Sequence, residues 1–195
     1  MRKFMILGAV MLCFAGVAAA QTDTTVNVVA EPAPAAAHLF HSSDGYPWQV
    51  GMNFLYQRFD IGGSDSNLYG LHTTVNRWLG DSMFGIEGDV TATFGRLIPT
   101  RREQQVFYGG GVHIGERSGK FQPWAHVLAG GAHERFNQGG GQSAFNGFGL
   151  MAGGGVDFQW RSHLAFRFEG DFLATRYAGL WQNTASAGAG VLFDF

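Results

Sequence analysis

From Pro47 to the C-terminal Phe195 the chain alternates apolar and polar residues with a period of two, in runs separated by turn residues. The first run sets Trp48, Val50, Met52, Phe54 and Tyr56 against Gln49, Gly51, Asn53 and Gln57. The second sets Tyr69, Leu71, Thr73 and Val75 against Gly70, His72, Thr74 and Asn76. The third opposes Phe84, Ile86, Gly88, Val90, Ala92 and Phe94 to Gly85, Glu87, Asp89, Thr91 and Thr93. A fourth, over 106–114, puts Val106, Tyr108, Val112 and Ile114 on one side and Gly109, Gly111 and His113 on the other. The fifth, about 121–132, is read with His126 on the polar face and Ala125, Val127 and Ala129 on the apolar one.

Three more runs complete the chain. Over 148–160, Leu150, Ala152, Val156, Phe158 and Trp160 oppose Gly149, Gly153, Gly155, Asp157 and Gln159. Next, Leu164, Phe166, Phe168 and Phe172 oppose Arg167, Glu169 and Asp171. The last pits Ala185, Ala187, Ala189, Val191, Phe193 and Phe195 against Thr184, Ser186, Gly188, Gly190 and Asp194. Eight segments of roughly ten residues have the length and alternation of transmembrane β-strands.

Composition narrows the choice. Charged residues make up 14% of the chain and glycine accounts for 30 of 195 positions, against typical usage of about 25% and about 7%. Low charge suggests a membrane protein, yet mean hydropathy is only -0.01. Beyond the N-terminus no apolar run approaches the roughly 20 residues of a spanning helix. A hydrophobic fraction of 46% argues against disorder, and the glycines follow no collagen-like period. An all-β domain remains, either soluble or embedded.

Three features favour embedding. The polar faces are rich in Gly, which suits the lining of an interior that eight strands leave just wide enough for side chains. Aromatic residues recur near the ends of the apolar faces: Trp48, Phe84, Phe158, Trp160, Phe166 and Phe195 at one level, and Tyr56, Tyr69, Phe94, Tyr108, Phe148 and Phe172 at the other. Paired girdles of this kind sit at membrane–water interfaces. Finally, short connections (79–82, 115–120, 161–163) alternate with longer polar ones (60–68, 95–105, 133–144, 176–183), as periplasmic turns alternate with extracellular loops. Both termini then fall on the short-turn side.

The N-terminus reads as a targeting segment. Met1-Arg2-Lys3, an apolar stretch from Phe4 to Val17 and Ala18-Ala19-Ala20 form a secretory signal with cleavage expected after Ala20. Cys13, the only cysteine, lies inside it and is followed by Phe14, which argues against lipidation; the exported chain has no thiol for a disulfide. Residues 21–46 read as a flexible periplasmic leader. Loss of Arg2 and Lys3 leaves 11 basic and 15 acidic residues, a net charge of -4, and no nucleic-acid partner is expected.

The run Asn76-Arg77-Trp78-Leu79-Gly80 leading into Phe84-Gly-Ile-Glu-Gly-Asp-Val90 resembles the OmpA-type eight-stranded outer-membrane β-barrel family. So do Phe121-Gln-Pro-Trp-Ala-His126 with Gly130-Gly131-Ala132, Gly153-Gly-Gly-Val-Asp157, and Ala187-Gly-Ala-Gly-Val-Leu-Phe-Asp-Phe195. The resemblance covers about residues 47–195 and implies an all-β, eight-stranded antiparallel up-and-down barrel in the cell outer membrane. It also implies partners: outer-membrane lipid and lipopolysaccharide, and the outer-membrane assembly machinery, which would read a C-terminal strand ending in Phe195. A monomer is expected. The chain stops at the barrel and lacks the peptidoglycan-binding domain that some relatives append, so no wall-anchoring role is expected.

Turn positions suggest interior pairings. With Trp160 opposite Leu164, Asp157 faces Arg167; with Trp78 opposite Met83, His72 faces Asp89 and Thr74 faces Glu87. Opposed opposite charges stabilise a sheet by roughly a few tenths of a kcal/mol or more. Glu87 and Arg167 are expected at similar depth across the lumen. The expected interior network is His72, Glu87, Asp89, Asp157, Arg167 and Glu169, read first as a polar filling and alternatively as a gate.

Other candidates are weaker. Arg101 and Arg102 in the second long loop offer guanidinium groups to lipopolysaccharide phosphates, against the simpler reading of solvated loop arginines. His38 and His41 fall in the leader. Ser162-His163 has no visible third orienting group and sits on a tight turn, and Gly139-Gly140-Gly141 is not a strand-to-helix phosphate cradle. No catalytic residue, metal ligand or cofactor is expected. The favoured reading is an outer-membrane barrel of structural or surface-interaction role with a side-chain-filled lumen. The alternatives are a narrow gated channel and a secreted soluble barrel binding an apolar ligand.

Overall fold

The computed structural model describes residues 46–61, 64–98, 101–138 and 141–195. The expected signal peptide, the leader as far as residue 45 with His38 and His41, Gly139, Gly140 and the side chain of Arg101 lie outside the described residues. Eight strands follow one another: β1 (Trp48–Ile61), β2 (Ser64–Trp78), β3 (Phe84–Ile98), β4 (Arg101–Gly115), β5 (Phe121–Gln138), β6 (Gly141–Arg161), β7 (Leu164–Tyr177) and β8 (Leu180–Asp194). Each is antiparallel to its neighbours in chain order, and β8 returns to β1 to close the barrel. At the seam the Trp48 amide donates to the Phe195 carbonyl at 3.1 Å, and the Phe195 amide to the Trp48 carbonyl at 2.9 Å.

The alternation places each face as expected. Ile86, Val127 and Phe168 are 58%, 62% and 58% exposed on the outer surface, whereas Arg167 inside is fully buried. A water-soluble barrel would show the reverse. The girdle aromatics meet across strands: Tyr56 and Tyr69 rings lie 5.5 Å apart at one edge, and Phe121–Phe158 and Trp160–Phe166 lie 5.3 and 5.6 Å apart at the other.

Two expectations are corrected. The four long polar loops are mostly strand: ladder pairing continues to Ile61↔Ser64, Ile98↔Arg101, Gln138↔Gly141 and Tyr177↔Leu180. The strands are therefore 14 to 21 residues long instead of about ten. In these extensions the buried inward face is itself often polar, as at Glu103, Gln105, Glu134 and Thr175, and the first six residues of β6 are exposed on both faces, so the hydrophobic alternation that marks a strand fades while its hydrogen bonds persist. Ala178 and Gly179, with φ of 48° and 87°, make the β7–β8 turn a two-residue connection of the primed kind that matches strand twist.

The β2–β3 register also differs, by two residues: Trp78 pairs with Gly85, so Thr74 faces Asp89 and His72 faces Thr91. The turn is wider than expected, closed by the Leu79 amide on the Phe84 carbonyl (2.9 Å) around Gly80 at φ 60°. A shift of two keeps every side chain on its own face. Asp157 does face Arg167, once the bulge between Gln159 and Arg161 is passed.

Inside, Phe107, Leu128, Met151 and Leu173 form an apolar layer across the lumen. The Phe107 ring lies against β6 at Gly149, where a Cβ would come within 2.9 Å of both Cδ2 and Cε2 of the ring. Gly149→Val is expected to cost about 1–3 kcal/mol through overpacking. Gly88→Val, on the outer face where the nearest atom to a new Cβ is 4.0 Å away, should cost far less. Urea unfolding in detergent micelles measures both.

Candidate functional site

Because alternate residues point inward, neighbouring strands deliver polar side chains to one level of the lumen. The strongest pair is Arg167 on β7 with Asp157 on β6. Arg167 Nε donates to Asp157 Oδ1 at 2.8 Å and Nη2 to Oδ2 at 2.7 Å, a bidentate geometry. Trp124 on β5 donates from Nε1 to the same Oδ1 at 3.0 Å, and its ring lies 4.3 Å from the guanidinium carbon. Arg167 Nη1 reaches Thr74 Oγ1 at 3.4 Å. The cation is thus enclosed by a carboxylate, a ring face and a hydroxyl, which is how a charge can be buried completely.

Next to it stands a chain of imidazoles and carboxylates. Both oxygens of Glu87 are taken by Nδ1 atoms, Oε2 by His113 and Oε1 by His126 at 2.7 Å. His113 and His126 are directly opposed on β4 and β5. Trp78 edge-on and Trp124 stacked hold the His113 ring, with centroids 5.0 and 5.2 Å away. His126 Nε2 lies 3.2 Å from Asp171 Oδ1. On β2, His72 bridges two further acids, with Nε2 against Asp89 and Nδ1 2.6 Å from Glu169 Oε1. Thr91 and Asn53 steady these carboxylates: Thr91 Oγ1 donates to Asp89 Oδ1 at 3.0 Å, and Asn53 Nδ2 to Glu169 Oε2 at 2.7 Å.

All six residues of the expected network face the lumen and are buried. Asp157 meets Arg167 as expected, and His72 meets Asp89, though diagonally from opposite Thr91. Glu87 lies opposite Asn76, not Thr74, and is held by two histidines. His113, His126, Asp171, Asn53 and Trp124 were missing from the network. The signal is partial: His113, His126, Asp171 and Asn53 lie on polar faces, but centring a 116–120 turn sets His113 opposite Pro123, and only the wider closure of Glu116 on Pro123 brings His113 opposite His126.

The short-turn end of the lumen, where both β1 starts and β8 ends, holds a cavity of about 210 Å³ lined in part by Gln49, Arg117, Gln122 and Asp194. Arg117 donates to the Tyr46 carbonyl at 2.7 Å and covers the Trp78 ring at 5.0 Å. Burial lowers its pKa from the ordinary arginine value, against the opposing effect of Asp194 and Asp81. His163 lies nearby, its ring nitrogens 3.2 Å from the Tyr46 hydroxyl and 3.0 Å from the Asp194 carbonyl. The Ser162–His163 pair is not arranged as nucleophile and base. Arg102 is exposed on the outer face, opposite Arg96 and Asn137.

No protein-family profile matches the chain, and no curated protein matches it in sequence. Its fold matches solved structures. Neisserial surface protein A (NspA) is 11% identical with a TM-score of 0.67, over 78% of this chain and 100% of that one. Ail, the attachment invasion locus protein of Yersinia pestis, is 15% identical with a TM-score of 0.50, over 75% and 96%. The outer membrane protein OprG from Pseudomonas aeruginosa is 11% identical with a TM-score of 0.50, over 80% and 98%. The chain has the fold of the small outer-membrane β-barrels.

Arg167→Ala should destabilise the folded barrel by about 3–5 kcal/mol, because Asp157 is left buried without its counter-charge. Arg102→Ala, on the exposed outer face, should stay within about 0.5 kcal/mol. Thermal melts in detergent, read by loss of the β circular-dichroism signal, compare the two.

Proposed function

We propose that this protein is an integral outer-membrane barrel with a plugged lumen, acting as a structural and surface-interaction element and not as an enzyme. The observation that carries this reading is the lumen itself. The Phe107–Leu128–Met151–Leu173 layer and the Arg167–imidazole–carboxylate level are both buried and stacked along the same interior, which supports a lumen filled by side chains. The exposed apolar band supports placement in lipid, and the expected export signal supports delivery to the outer membrane.

The outer surface supports a lipid partner. Arg58, Asn67, Arg96, Arg102 and Asn137 form one row of directly opposed residues across β1 to β5. This row lies one outward position beyond Tyr56, Tyr69 and Phe94, the aromatic edge of the apolar band. Like charges opposed across strands are destabilising by themselves, so the adjacent Arg96 and Arg102 suit an anion at headgroup level. Lipopolysaccharide phosphates provide one, and guanidinium binds them in bidentate fashion.

A narrow gated channel is the competing reading, because the imidazole–carboxylate chain could rearrange. Planar-bilayer recordings of the purified protein should show no unitary conductance; reproducible channel openings would overturn the plug. Val90→Arg, at an outward position between Phe84 and Phe94, should cost about 2–4 kcal/mol of stability in lipid vesicles, whereas a water-facing valine would tolerate arginine. The double variant Arg96→Ala/Arg102→Ala should bind lipopolysaccharide at least about fivefold more weakly, each arginine near an anionic surface contributing on the order of 1 kcal/mol. Unchanged binding in surface plasmon resonance would remove lipopolysaccharide as the partner of this row.

A further inference from the structure

The imidazole–carboxylate level has the composition of a ligand set. Glu87, His113 and His126 each offer one donor atom, and the three atoms lie within 4.8 Å of one another; His72, Glu169 and Asp171 do the same beside them. Both groups are buried, and the first combines two imidazoles with one carboxylate. We propose that this level of the lumen is a binding centre for divalent transition-metal ions, with Glu87, His113 and His126 as the first position and His72, Glu169 and Asp171 as the second.

Four independent features converge on it. The first is direction: the Nδ1 atoms of His113 and His126 come from two different strands onto the two oxygens of a single carboxylate. An ion at that point replaces the protons shared between them, and its loading releases protons.

The second is support around the ligands. His72, with Nδ1 toward the second position, has Nε2 against Asp89, and Asp89 is itself held by Thr91. A carboxylate on the far nitrogen of a ligating histidine fixes its tautomer and raises its basicity. Asn53 orients Glu169 in the same manner, and the two tryptophans clamp the His113 ring.

The third is a poorly satisfied pair. His126 Nε2 and Asp171 Oδ1 are buried and make an ion-pair contact at 3.2 Å that is not aligned as a hydrogen bond. Buried polar atoms normally find well-aligned partners, and these two lie where the two positions adjoin.

The fourth is charge. Glu87, Asp89, Glu169 and Asp171 place four carboxylates at one buried level, while Arg167 is already committed to Asp157 in bidentate fashion. Four carboxylates face three imidazoles, so a negative charge is left over even with every imidazole protonated, and divalent cations can take the place of those protons.

The donor chemistry selects the ion. Three imidazoles with carboxylates suit zinc, copper, nickel or iron(II), whereas calcium and magnesium prefer all-oxygen sets. Bonds of about 2.0–2.2 Å put tetrahedral donors about 3.3–3.6 Å apart, so the imidazole–carboxylate contacts, 2.7 Å at His126 and 2.6 Å at His72, open as an ion takes the place of the shared proton. The level is shut off by Trp78, Trp124 and Arg167 on one side and by Phe107 and Leu128 on the other, so the ion enters as the barrel forms. It then ties β3, β4 and β5, and β2 to β7, across the lumen.

The test refolds the full chain from urea into detergent with ZnCl2 or with EDTA, removes free ion by gel filtration, and counts zinc by mass spectrometry. About two zinc ions per heat-modifiable barrel are expected, with CoCl2 giving visible d–d absorption in their place. Glu87→Gln and His72→Gln keep hydrogen-bonding capacity, and each should lose one ion while still migrating as a folded species in SDS gels. The exposed-histidine variant His133→Gln/His163→Gln should keep both. Loss of one ion in Glu87→Gln with no loss in His72→Gln would support the first position and overturn the second. Zinc content in the folded parent no greater than in the Glu87→Gln/His72→Gln double variant would overturn the proposal and leave the level as a hydrogen-bonded polar core.

Discussion

Closure of β8 onto β1 is the constraint on which the rest depends. Within lipid an unsatisfied backbone amide or carbonyl costs several kcal/mol, so a spanning sheet has to have no edge. The seam from Gln49↔Asp194 to Phe59↔Thr184 removes the last one. Once the ring is closed, parity decides which medium a side chain meets. One set of alternate residues faces lipid; the other is forced into an interior too narrow for bulk water.

That interior explains the polar chemistry. Carboxylates such as Glu87 and Glu169 cannot be hydrated there by bulk solvent, so each takes its hydrogen bonds from the wall opposite: two imidazoles on Glu87, an imidazole and the Asn53 amide on Glu169. Arg167 is buried at no exposure because Asp157, Trp124 and Thr74 converge on it from three strands. A buried charge with its partner removed is far costlier than the pair is beneficial, so the level behaves as one unit. The apolar layer around Phe107 stands beside it, with Gly149 keeping β6 clear of the ring.

The outer surface follows the same parity with a different solvent. Apolar residues fill the band, aromatics mark its edges, and arginines occupy the next outward positions at one edge. Beyond that edge the chain continues as hairpins whose inward residues, such as Glu103 and Glu134, stay buried but are polar. The first six residues of β6 are exposed on both faces. For this reason the extent of the strands could not be read from hydrophobicity: 60–61 with 64–68, and 95–98 with 101–105, have loop composition and are ladder residues in structure.

The face of each residue was legible from the chain alone, because a period of two survives any even shift in register. His72, Glu87, Asp89, Asp157, Arg167 and Glu169 were therefore legible as lumen residues. Depth was a different matter. Which inward residues share a level depends on the length and closure of each turn, and a turn widened around Gly80 moved His72 from Asp89 to Thr91 without changing any face. His113 and His126 were visible as polar-face residues, but only the closed barrel brings them onto Glu87 from β4 and β5. Parity is a local property of the backbone; proximity across a lumen is set by register summed around eight strands, and that only the tertiary structure decides.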